Sequence, residues 1–237
     1  METVQLADQA RPFLDYLQTW MNDLPTRTLV EVFPDPARAA ILSVDVINGF
    51  CYEGPLSSPR VAGIVDPIAR LFQSAWEFGV RQIVLTQDTH DPAAVEFAQW
   101  PPHCVRGTSE SETVPAFKAL PFYDRMVILP KNSIDSALNT GLQRWLNDHP
   151  DVRNFVVVGD CTDLCTYQLA MFLRLDANAR QLERRVTVMA SGVDTYDMLI
   201  ETAAQVGAMP HPAGLLHPLF LYHMALNGVE VVKDICP

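Results

Sequence analysis

The sequence predicts a doubly wound α/β domain built on a parallel sheet, and three observations carry that expectation. Short runs rich in Val and Ile recur along the chain between polar or turn residues, as strands buried on both faces require. Segments with helical spacing separate them, so that strand and helix alternate about five times. Residues able to do chemistry follow the runs directly, at the carboxyl ends of the strands, where open parallel sheets bind ligands.

In chain order, residues 1–24 are acidic and amphipathic and read as an added helix that packs on the domain or on a second copy. The expected strands are Ala40–Val46, Val80–Thr86, Met126–Leu129, Phe155–Val158, Val186–Ala190 and Val229–Val232. Between the first two, Val61–Phe78 places Ile64, Ile68, Leu71, Phe72 and Ala75 on one side and stops at Gly79. Ser133–Leu146 has a stripe of Ile134, Leu138, Leu142 and Trp145, and Leu164–Arg180, Asp197–Val206 and Leu215–Leu226 follow the same logic. With no internal repeat or low-complexity tract, 1–237 reads as a single domain with a helical extension at about 1–38.

Composition narrows the function classes. A net charge of −11 disfavours nucleic acid and anionic membranes, which reward basic patches. No apolar run approaches the ~20 residues of a membrane span, and the N-terminus lacks the basic-then-apolar pattern of a secretory signal. Five scattered cysteines do not suggest a disulfide framework, so a reducing cytoplasm is the simpler setting.

The candidate chemistry collects at one edge. Strand one ends in Asp45, strand two runs into Asp88 and His90, strand three delivers Lys131, and strand four leads through Gly159-Asp160-Cys161-Thr162-Asp163-Leu164 to Cys165 before a helix. A cysteine at a helix N-terminus is favoured as thiolate, and the amides there can hold an oxyanion. Cys165 could instead be a small buried hydrophobe; Asp45 and Lys131 on the same edge favour a nucleophile with a base and a positioned cation. Asp88, His90 and His103, with Glu96 or Asp91 from the loop, offer mixed imidazole and carboxylate ligands suited to zinc, iron or manganese. A polar loop whose histidines cap backbone groups is the plainer alternative. The CxxxC spacing of Cys161 and Cys165 is not that of a dithiol oxidoreductase.

Together, ILSVDVINGF, DTH followed by EFAQWPPHCVRGT, a Lys after the third strand, and GDCTDLC resemble the nicotinamidase branch of the isochorismatase-like cysteine hydrolases, from about Ala40 to Val206. The resemblance implies a mostly parallel six-stranded sheet in a three-layer, Rossmann-like arrangement. It implies a triad of Asp45, Lys131 and Cys165, oxyanion donors at the amides of Cys161 and Cys165, and a cis Asp160–Cys161 peptide. It implies a divalent metal, zinc foremost, on Asp88, His90, Glu96 and His103, and a pyridine ring held by Phe50 and Trp100. The activity implied is hydrolysis of nicotinamide to nicotinate and ammonia through a thioester, serving NAD salvage. The alternatives are another carboxamide or carbamoyl amidase of the superfamily, or a non-catalytic pyridine- or metal-binding module; a vinyl-ether hydrolase would not need the cysteine. His211, His217 and His223 lie in a segment that the motifs do not cover, and read as satisfied loop or helix residues rather than a second metal site.

Overall fold

A computed structural model of the protein describes residues 5–237. Its centre is a six-stranded sheet in which every pairing is parallel, rather than mostly so. The strands are β2 (Ala39–Val44), β3 (Gln82–Asp88), β4 (Val127–Lys131), β5 (Asn154–Gly159), β6 (Arg185–Val193) and β7 (Glu230–Val232), in the order β4-β3-β2-β5-β6-β7. Two short strands that were not expected, β1 (Thr26–Thr28) and β8 (Asp234–Cys236), pair in parallel beside it. All six residues of β2 are buried, as its unbroken apolar run requires. At the edge, β4 tolerates Pro130, since an outer strand can lack a ladder donor.

The main helices are α1 (Leu6–Asn22), α2 (Val65–Phe78), α3 (Leu142–Asp148), α4 (Cys165–Ala179), α5 (Ile200–Val206) and α6 (Ala213–Leu226). The amphipathic helix expected over 1–24 is realised as α1, with residues 1–4 of that expectation outside the described residues. Helix α2 buries Val65, Ile68, Leu71, Phe72 and Ala75 and ends at Gly79, whose φ of 118° suits a residue without Cβ. The two faces of the sheet carry separate apolar clusters, one including Ile41, Phe72 and Phe117, the other Leu42, Phe155 and Leu169.

The helix expected over Ser133–Leu146 is a correction. Only Leu142–Asp148 is helical. Asp135 Oδ1 accepts from the amides of Ala137 and Leu138, and Thr140 Oγ1 from that of Leu142. These short polar side chains satisfy backbone donors locally, and Asn139 adopts a φ of 55°, so turns win over the apolar stripe. Similarly, Val61–Phe78 is divided at Gly63 into a single turn, Pro59–Ala62, and α2.

The chain runs from β2 outward through β3 to β4, then crosses back to place β5 on the other side of β2. The switch in direction therefore lies between β2 and β5, and a crevice opens there at the carboxyl ends. The two strands approach closely at that point: a Cβ on Gly159 would fall 2.0 Å from the carbonyl oxygen of Val44.

Candidate active site

Each strand around the switch ends in a polar residue that the core cannot solvate. Asp45 follows β2 with a φ of 55°, a left-handed conformation uncommon outside glycine. Its Oδ1 accepts from the amide of Asp88 at 2.7 Å, and its Oδ2 lies 2.7 Å from Lys131 Nζ. Lys131 Nζ also donates to Asp88 Oδ1 at 2.6 Å and lies 3.7 Å from Cys165 Sγ. Asp45, Asp88 and Lys131 are no more than 2% exposed, so these charges interact with little screening. Carboxylate oxygens of Asp45 and Asp88 and the sulfur of Cys165 all lie within 4.8 Å of one another.

This packing shifts every group in it. Burial and the neighbouring Asp88 push Asp45 up to about 7, against the pull of Lys131. Burial opposes the charge on Lys131, but Asp45 and Asp88 outweigh it and hold the ammonium well above its usual range. Burial pushes the Cys165 thiol up as well, with Lys131 pulling it back down.

The nucleophile candidate sits where the sequence suggests, as the first residue of the fifteen-residue helix α4. The loop before it holds a cis Asp160–Cys161 peptide, as expected. Leu164 and Thr166 both donate to the Cys161 carbonyl, which folds the loop into a tight turn. Among the described residues, the amides of Cys161 and Cys165 have no hydrogen-bond acceptor in the protein. Both residues line the same cavity.

Beside Asp45, Lys131 and Cys165, the residues Asp88, His90 and His103 each bring one ligand atom within 4.8 Å of the others, all buried. The residues fit a metal ion. His90 Nδ1 is 3.0 Å from Asn132 Oδ1, and His103 Nδ1 is 2.8 Å from the Pro101 carbonyl. Both partners are acceptors, so each Nδ1 carries the proton and each Nε2 keeps its lone pair for a ligand. Among the described residues His90 Nε2 is buried without a hydrogen-bond partner, Asp88 Oδ1 being 3.4 Å away. Burial opposes a charge on His90, yet Asp88 outweighs it and raises its pKa, so the spot favours positive charge. Burial lowers the pKa of His103. Glu96 lines the cavity but lies outside this three-residue cluster; burial and Asp88 raise its pKa.

Phe50 and Trp100 both line the cavity, with the ring of Phe50 5.6 Å from that of His103. Sequence reasoning missed Tyr196, which lines it too, and Asn132, which orients His90. A period-2 reading of β6 cannot foresee Tyr196, because it lies beyond the strand in an irregular turn; Asn132, next to Lys131 at the same edge, carried the better signal. Outside the cavity, the three histidines of the segment that the motifs do not cover have partners: His211 with Asp163, His217 with Thr162 and His223 with Tyr167.

Known proteins resemble this chain in sequence and in fold. Residues 39–209 match the family model described as the isochorismatase domain. Nicotinamidase 1 of Arabidopsis thaliana is 31% identical over 213 residues, covering 82% of this chain and 85% of that one. The crystal structure of a nicotinamidase from Bacillus subtilis superposes with a TM-score of 0.64 at 23% identity, covering 83% of this chain and 99% of the other. The pyrazinamidase of Pyrococcus horikoshii, solved in complex with zinc, gives a TM-score of 0.62 at 23% identity with the same coverage. Those two likenesses concern the fold; the match to the domain, with the extent of the Arabidopsis relationship, places this chain in the isochorismatase family of hydrolases.

Proposed function

We propose that the protein hydrolyses nicotinamide to nicotinate and ammonia, with Cys165 as nucleophile. The observation that carries this reading is the convergence of Asp45, Lys131 and Cys165 at one cavity edge beside Asp88, His90 and His103. The relationship to a plant nicotinamidase supports the substrate.

Asp45, with a pKa raised to about 7, is matched to move a proton near neutrality. It takes the thiol proton of Cys165, and the sulfur attacks the carboxamide carbon. The tetrahedral oxyanion accepts from the amides of Cys161 and Cys165, which are free to donate. Lys131 holds negative charge at the adjacent sulfur and carboxylates throughout. Asp45 returns the proton to the departing nitrogen, the C–N bond breaks, and ammonia leaves a Cys165 thioester. A water deprotonated by Asp45 then attacks the thioester, releasing nicotinate and restoring the thiol. Phe50 and Trp100 supply apolar walls for the ring. Asp88, His90 and His103 would hold a divalent first-row ion, with Glu96 near enough to the cavity to serve through water, and such an ion supplies a Lewis-acidic anchor for a ring nitrogen. A zinc-bound relative of this fold makes zinc the first ion to try.

The test is ammonia release from nicotinamide by the purified protein, beside Cys165→Ala and a chelator-stripped sample. Robust release that Cys165→Ala lowers by at least about 10⁴-fold, and that stripping lowers reversibly, is expected. No release by metal-supplemented wild type would overturn the substrate, and a screen of other carboxamides would follow.

A further inference from the structure

Behind the cavity wall lies a polar clamp that the proposed chemistry does not use. The ring of His211 stacks on that of Tyr196, with centroids 3.9 Å apart and planes 13° from parallel. His211 Nδ1 donates to the Tyr196 carbonyl at 2.8 Å, and Nε2 donates to Asp163 Oδ2 at 2.7 Å. Both partners only accept, so the ring is held with a proton on each nitrogen, as a cation against the tyrosine face. The second oxygen of Asp163 accepts from Thr195 Oγ1 at 2.6 Å. The clamp thus ties the turn before Cys165 to the chain leaving β6 and to the approach to α6.

The surrounding backbone makes this wall stiff. Met198 and His211 exchange two main-chain hydrogen bonds, of 2.9 and 2.8 Å, and Asp197 Oδ1 accepts from the Ala213 amide at 2.8 Å. The excursion from 199 to 210, which carries α5, is therefore closed at its base beside Tyr196. Tyr196 also meets Trp100 edge-on, with centroids 6.2 Å apart, and the two rings line the same cavity.

We propose that Tyr196 is a specificity-determining residue, a clamped wall that limits the slot to primary carboxamides of a single flat ring and rejects fused rings. The inference rests on the amidase reading of the cavity. A wall that cannot swing aside discriminates by clash, which a merely apolar pocket does poorly. His211 acts only through Tyr196 and is a positioning residue.

The experiment compares kcat/KM for ammonia release from nicotinamide and from quinoline-3-carboxamide, which carries the same carboxamide on a fused second ring. Tyr196→Ala should raise the quinoline-to-nicotinamide ratio at least about tenfold, while Tyr196→Phe keeps the wild-type ratio because the ring, not the hydroxyl, forms the wall. His211→Ala should shift the ratio the same way by less, raising KM for nicotinamide more than it lowers kcat. An unchanged ratio in a Tyr196→Ala protein that still hydrolyses nicotinamide would overturn the proposal. So would failure of both Tyr196→Ala and Tyr196→Leu to fold, which would assign the ring to the core. Wild-type inactivity on nicotinamide sinks the functional reading separately; the wall is then tested by the ratio of dissociation constants for the two carboxamides on the same variants. Binding of neither would overturn both.

Discussion

At the carboxyl ends of the strands, Asp45, Asp88 and Lys131 share one dry cluster in which the lysine is wholly enclosed by its partners. At the amino ends, Arg153 pairs with Glu183 at 2.8 Å, with their side chains 46% and 88% exposed, and Arg185 pairs with Glu230 beside a broad surface cleft. The residue types are alike and the consequences are not. Water and salt screen the second set, so its pairs hold local geometry and little else. In the first set each charge depends on the next, because desolvating two carboxylates is tolerable only with a cation between them. Burial and the neighbouring Asp88 raise Asp45 to about 7 against the pull of that cation, which makes a proton there mobile near neutrality.

The sharpest way to break this contrast is Lys131→Met. The substitution leaves Asp45 and Asp88 buried, of like charge and without their cation, and should destabilise the protein by about 3–5 kcal/mol in denaturant unfolding. Ammonia release should vanish with it. A Lys131→Met protein as stable as wild type would mean that the two ends differ in exposure alone.

The same contrast explains what could be read from the sequence. Asp45, Asp88, Lys131 and Cys165 are legible because each follows an apolar run directly, and strand direction then brings them to one edge. The parallel pairing follows from the alternation of strand and helix, whereas the order of the strands across the sheet does not. Ser133–Leu146 misleads because Asp135 and Thr140 capture backbone donors that a stripe count ignores. The clamp of Asp163, Tyr196 and His211 is invisible for a different reason: its members are separated by up to 48 residues and meet only through tertiary packing. The short β1–β8 pair likewise joins the two ends of the chain, where no local pattern announces a partner.

The Asp163–His211 pair lies between the two extremes, with side chains 5% and 11% exposed. Burial raises Asp163, but the bonds from His211 and Thr195 outweigh it and leave its pKa below the usual carboxylate value. Burial lowers His211, but Asp163 outweighs it and leaves its pKa above the usual imidazole value. A depressed acid contributes stability that is lost as pH falls through its folded pKa. A raised base contributes stability that is present below its unfolded pKa and lost as pH rises through its folded one. Both contributions are therefore complete between about pH 4 and about pH 6.5. Melting curves of wild type and His211→Gln should differ most in that window and converge on either side. A difference independent of pH would make the contact one of shape alone.

The smallest effect is expected at the amino ends, and it completes the comparison. Arg153→Ala removes a surface ion pair whose partner, Glu183, stays hydrated, so no charge is stranded. The Arg153 amide still donates to the Arg38 carbonyl and its own carbonyl still accepts from Arg185, so the backbone register beside β5 is unaffected. Stability should change by less than about 0.5 kcal/mol, and the change should shrink in high salt. Activity should be that of wild type, since the site lies at the opposite end of the strands. A loss comparable to that of Lys131→Met would mean that Arg153 is linked to the cavity through the strands, and that the sheet is not the rigid divider between two electrostatic regimes that its fully buried central strand implies.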